Sequence, residues 1–144
     1  MKINSKTIAR IASVQLFYQY EILDRVKSMN YLINDIESYY NDPEIIEDFE
    51  LCEVKLHLNY FRTLVHLTFV NLQDIDSLIE LKVRKNANYV AGAILRIGIC
   101  EMKYITTTPT KVVINEYTNI ASSFIAGVEI VNSVLDNISK STAA

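Results

Sequence analysis

The stretch TTPTKVVINEYTNIASSF, Thr107–Phe124, decides the fold. Its Val112-Val113-Ile114 run has the composition of a strand, yet Asn115-Glu116 follows at once and would break most buried strands. Wound as a helix, Val113, Tyr117, Ile120 and Phe124 fall on one line at spacings of four, three and four. Asn115 then points away from that line, beside Lys111, Thr118, Asn119 and Ser122. Thr108-Pro109 reads as an N-cap followed by proline at the first helical position, where no N–H is missed. β-Branched residues have only middling helix propensity, so packing must hold this helix. Its outer stripe is polar and nearly uncharged, which suits a solvated stripe and a contact surface equally well.

The same period recurs along the chain. Three glycines and two prolines are too few for a sandwich or barrel that turns every ten residues or so. Ile8, Ile11, Ala12 and Leu16 mark a first helix, with Ser5 as its cap. Met29, Leu32, Ile33, Ile36, Tyr39 and Tyr40 follow Ser28 as a second, ended by Asn41-Asp42-Pro43. Phe61, Leu64, Val65, Thr68 and Leu72 trace a third stripe. Ile75, Leu78 and Ile79 continue it out of phase, which predicts a bend near Asp74. Val90, Ala91, Ile94, Leu95 and Met102 make the most apolar helix and the expected centre of its layer. Its Gly92 and Gly98 predict close approach by a neighbouring helix. Val128, Val131, Leu135 and Ile138 close the chain. The reading is one all-α domain over residues 1–144.

No apolar run approaches the roughly 18 residues that a membrane span needs, and the N-terminus lacks the apolar centre of a signal peptide. A cytoplasmic location is expected. Cys52 and Cys100 read as ordinary buried thiols. The net charge of −3 hides an asymmetry. The first twenty residues carry Lys2, Lys6 and Arg10 and no acid, whereas Asp35–Glu53 holds eight acids and no base. His57 and His66 lack carboxylate company at metal-ligand spacing. No Gly-rich phosphate loop, HExxH or GxSxG occurs. No catalytic, cofactor or metal site is expected.

LRIGICEM (Leu95–Met102), PTKVVINE (Pro109–Glu116) and VNSVLD (Val131–Asp136) resemble the signature blocks of the NusB family of bacterial transcription antitermination factors. RIASVQLFYQYE (Arg10–Glu21) is similar to that family's N-terminal helix, and YFRTLV (Tyr60–Val65) to its middle-helix block. The five blocks run in family order and span nearly the whole chain. The resemblance implies about seven helices in two small helical subdomains. It also implies a non-catalytic adaptor that pairs with ribosomal protein NusE, binds boxA-type leader RNA and joins the antitermination complex on RNA polymerase. Where relatives carry several arginines before the first helix, Thr7, Ile8 and Ala9 separate Lys6 from Arg10. Ile130 and Ser133 replace the Phe and Gly of the family's FVNG, so an aromatic stacking residue does not carry over there.

Binding a single RNA strand needs phosphate neutralisation and faces on which bases stack. Lys2, Lys6, Arg10, Gln15 and Tyr18 are the candidate RNA-binding residues, with Tyr18 aligned to the tyrosine of the family block. About three neutralised phosphates predict a slope of log affinity against log salt near −2, hence weak binding without a partner. Arg62, Arg96, Glu101, Asn115 and Glu116 read either as a partner surface or as internal hydrogen bonds that pin helices. The residues touching NusE are not legible. Two alternatives stand beside the adaptor: a scaffold or homodimer of the same fold with weakened RNA binding, and the RNA-binding module of a ribosomal RNA methyltransferase. The chain stops after the helical domain, so it is not expected to be the whole of such an enzyme.

Overall fold

Asn88 opens the helix on which the rest is assembled. Its Oδ1 accepts from the Ala91 N–H at 2.7 Å, and ten residues between Ala91 and Glu101 are buried. The computed structural model describes residues 3–42, 55–79 and 88–142, and among these there are seven helices and no strand. They are α1 (Ser5–Ile22), α2 (Met29–Tyr40), α3 (Leu58–Val70), α4 (Leu72–Leu78), α5 (Tyr89–Tyr104), α6 (Thr110–Ser123) and α7 (Val128–Thr142). Central α5 packs against α1, α3 and α4 on one side and against α6 and α7 on the other, while α2 packs on α1. The two groups of helices share one buried cluster, running from Leu16, Phe17 and Phe61 through Ile94 and Ile97 to Val113 and Leu135. No described helix is long and apolar enough to cross a membrane.

Local chemistry sets the helix ends. The cap of α1 is Asn4, one residue before the expected Ser5, and its Oδ1 accepts from the Thr7 N–H at 2.8 Å and the Thr7 hydroxyl at 3.1 Å. Ser28 caps α2 as read, accepting from the Tyr31 N–H at 3.2 Å. That helix ends at Tyr40; Pro43 lies outside the described residues, as do Lys2, Cys52 and the acids beyond Asp42. The bend predicted at Asp74 falls at Asn71, where the Asn71 amide turns back to the Leu67 carbonyl at 2.8 Å and separates α3 from α4. The α6 helix starts one residue later than read, because Pro109 rather than Thr108 holds the cap position.

The predicted stripes are at least partly buried with four exceptions, two of them Tyr39 on α2 and Leu78 at the end of α4. Val113, Tyr117 and Ile120 are fully covered, but Phe124 lies beyond the end of α6 and is exposed, and Val128 is exposed at the start of α7. Gly98 meets its expectation: a Cβ there would sit 3.3 Å from both Leu135 methyls and from Tyr117 Cγ, so α6 and α7 approach α5 closely at this point. Gly92 does not, since a Cβ there would meet only Arg96 Nη1 of its own helix, at 3.2 Å.

Candidate nucleic-acid interface

Helix α1 contributes every candidate RNA residue among the described ones, but the fold divides them. Lys6 is exposed at its first turn, with Nζ 4.9 Å from the centroid of the Tyr60 ring. Arg10 lies one turn further along the same side, and its Cζ is 5.5 Å from the same ring. Gln15 follows Lys6 by nine residues, which places it about half a turn round the helix. There it accepts a 2.7 Å hydrogen bond from the Tyr40 hydroxyl of α2. Tyr18 sits beside Gln15, at the mouth of an open groove between α1 and α2. The structure therefore brings Lys6 to Arg10 and Gln15 to Tyr18, and does not bring the two pairs together. The candidates expected to form one RNA-binding set are thus split by helix phase, with Gln15 out of reach of Lys6 and Arg10.

Arg10 is the larger correction. It is 3 % exposed. Its Nε and Nη2 donate to the two carboxylate oxygens of Glu101 at 2.8 and 2.7 Å, and Nη1 lies 3.5 Å from Glu116. The Tyr117 and Tyr60 hydroxyls donate to the same Glu101 carboxylate at 2.7 and 2.9 Å. Burial by itself would raise the Glu101 pKa; the Arg10 hydrogen bonds and charge, helped by the two phenols, outweigh it and hold the carboxyl below its usual value. This knot ties α1, α3, α5 and α6 together and uses up the guanidinium. The internal readings of Arg96 and Glu116 match the geometry as well. Arg96 Nε donates to Asp76 at 2.7 Å, and Glu116 lies 3.4 Å from the Thr7 hydroxyl, whose one hydrogen it shares with Asn4. Arg62 pairs with Glu37 across α2 and α3 at 2.7 and 3.1 Å.

What remains outward at the start of α1 is Lys6, together with a cation that sequence reading missed. The His57 N–H donates to the Ser5 carbonyl at 3.4 Å, so the segment holding exposed Lys55 runs beside the first turn of α1. The N-termini of α1 and α3 lie together there, and their dipoles add to the positive potential of Lys6 and Lys55. Lys55 is 49 positions from Lys6, and no local pattern links them. In the groove, sequence reading found Tyr18 but missed Tyr39, Asp35 and Gln19, whose i, i+4 relations to Asp35 and Gln15 were the available signal.

His57 and Cys100 are accounted for by the fold. His57 Nδ1 caps α3 by accepting from the Tyr60 N–H at 3.2 Å. Burial pushes the Cys100 thiol up to about 11, so it stays protonated near neutral pH. Among the described residues no group of three His, Cys, Asp or Glu side chains could hold a metal ion.

A profile of the NusB family matches residues 7–140. The chain belongs to the NusB family. The transcription antitermination protein NusB of Rickettsia rickettsii (strain Sheila Smith) is 40% identical over 147 aligned positions, covering 96% of this chain and 94% of that protein. The NusB of Rickettsia bellii (strain OSU 85-389) is also 40% identical, over 95% of this chain and 91% of that protein. Among solved structures, NusB in a complex of antitermination factors NusB and NusE with double-stranded RNA superposes with a TM-score of 0.72. That match is 22% identical and covers 95% of this chain and 97% of the other. A NusB of T. maritima superposes at 0.71, with 24% identity over 97% and 93% of the two chains. At these identities the structural matches establish the all-α NusB fold, and the family itself rests on the sequence relatives.

Proposed function

We propose that this NusB-family chain is a non-catalytic, cytoplasmic antitermination factor that binds boxA-type leader RNA together with ribosomal protein NusE. In that role it joins the antitermination assembly on RNA polymerase. The observation that carries the reading is the family match over residues 7–140, joined to relatives 40% identical along nearly their whole length. The solved complex of a related NusB with NusE and double-stranded RNA supports both partners. Lys6 and Lys55, exposed beside two helix N-termini, supply the cationic contact, with Lys2 preceding them in the chain. Tyr18 supplies an aromatic face further along α1, about 18 Å from Lys6 at ~1.5 Å per residue. Arg10 leaves the RNA-binding set and acts as the internal tie of the fold.

With so few free cations, RNA binding by this chain alone is weak, and NusE strengthens it. Fluorescence titration of a boxA RNA with and without NusE tests this. Salt-sensitive binding that tightens when NusE is added is the expected result. Tight NusE binding with no RNA response would replace the adaptor with a protein scaffold of the same fold.

A further inference from the structure

We infer that the groove between α1 and α2 binds one unstacked guanine base of the RNA strand, held between Tyr18 and Tyr39 and read by Asp35 and Gln15. The inference rests on the RNA-binding reading above and adds the base that the protein selects. The groove has a volume of about 450 Å³ and is lined by Gln15, Tyr18, Gln19, Asp35, Ile36 and Tyr39, among others, ample for a single base among the clefts that take small molecules. Tyr18 is 37% and Tyr39 43% exposed, so both rings present surface to an occupant. Tyr39 also packs edge-on against Tyr40, with centroids 5.3 Å apart at 78°, which limits its freedom before anything binds.

The polar lining selects the occupant. Asp35 is the sole charged side chain among the described lining residues. A phosphate would be repelled, so the strand's backbone must run outside and only a base can enter. The Asp35 carboxylate accepts from Gln19 Nε2 at 3.3 Å and keeps further acceptor sites. A carboxylate facing a base requires donors. Guanine offers N1–H and N2–H side by side, adenine and cytosine offer one amino group, and uracil offers a single N3–H flanked by two carbonyl oxygens. Gln15 complements this. Its carbonyl oxygen accepts from the Tyr40 hydroxyl at 2.7 Å, which leaves its NH2 group as the donor to match the O6 acceptor of guanine. An acceptor pair and a donor around a stacked ring fit guanine better than any other RNA base.

The test compares a fluorescein-labelled uridine dodecamer with the same oligomer carrying one internal guanosine, each titrated with the full chain and NusE. The guanosine oligomer is expected to bind about tenfold more tightly. Inosine in its place, which keeps N1–H and O6 but lacks the 2-amino group, should recover part of that gain. Asp35→Asn, which puts a donor where guanine also donates, should erase the preference. Tyr39→Ala should weaken the guanosine oligomer more than the uridine one. Equal binding of the two oligomers, or a guanosine preference untouched by Asp35→Asn, overturns the base site and leaves RNA binding standing. Binding of neither oligomer, with or without NusE, also overturns the base site, and the boxA titration described above decides the RNA-binding reading separately.

Discussion

Without the Arg10 side chain, the Glu101 carboxylate would keep two phenol donors and lose its bidentate cation, at a position with no solvent exposure. Breaking a buried pair from one side costs about 3–5 kcal/mol, because the surviving charge has nowhere to be solvated. Arg10→Ala is therefore expected to lower the urea midpoint by that equivalent with an unchanged slope. Arg10→Met combined with Glu101→Leu should cost less than the two single changes added together. The pH dependence follows from the same contact. Glu101 titrates below its ordinary carboxylate value in the fold, so its contribution is present above about pH 4.3 and is lost as pH falls through the lower folded value. The stability gap between the parent chain and Arg10→Ala should accordingly shrink below pH 4. A gap that stays constant from pH 7 to pH 3 would mean that the pair does not stabilise the ionised carboxylate. On the alkaline side, burial has raised Cys100 from 9.0 to about 11, so its contribution holds below pH 9 and fades as pH climbs toward 11. Chain position alone gave no way to tell Arg10 from an exposed cation. Its main partner lies 91 residues away, and only the folded arrangement reveals that the charge is already used.

Helices were the part of the fold that the sequence made readable, because a 3.6-residue period shows itself wherever one face is buried. Val113, Tyr117 and Ile120 on α6 and Leu32 and Ile36 on α2 were placed by spacing alone and are buried as read. Ends were less readable. Asn4 and Ser5 are both good caps, and the choice between them depends on which oxygen reaches the Thr7 N–H. The bend at Asn71 was hidden because an asparagine that closes on its own helix leaves no gap in the apolar pattern. The two glycines of α5 looked alike in the sequence and differ in the fold, which yields opposite expectations. Gly92→Ala meets only the flexible end of Arg96, so it should raise thermal stability by about 0.5–1 kcal/mol through helix propensity. Gly98→Ala pushes a methyl against Leu135 and Tyr117, both fully buried. Overpacking of that kind costs about 1–3 kcal/mol, which should outweigh the propensity gain and lower the melting temperature. Thermal unfolding of the two variants decides the matter, and a gain at both positions would show that α6 and α7 can retreat from α5.

At the scale of the molecule, the proposed function asks an acidic chain to approach a polyanion through a small cationic end. The net charge of −3 opposes the encounter, and the contact proposed above lies where α1 and α3 begin. The sequence offered Lys6 for that end. It could not supply Lys55, which tertiary packing delivers through the His57–Ser5 hydrogen bond. Exchanging Arg10 for Lys55 keeps the number of neutralised phosphates near three, so the slope of log affinity against log salt should stay close to −2 for a single strand. Each lysine then carries about a third of that dependence. Lys6→Ala should reduce the slope to about −1.4 and weaken every RNA to a similar degree, because a phosphate contact carries no base information. Its effect should be largest in dilute buffer and fade as salt screens the contact. Asp35→Asn should show the opposite behaviour, altering base preference with little change in slope. A Lys6→Ala chain that keeps the parent slope would move the phosphate track away from the start of α1, and the surface around Lys111 at the beginning of α6 would be the next place to look for it.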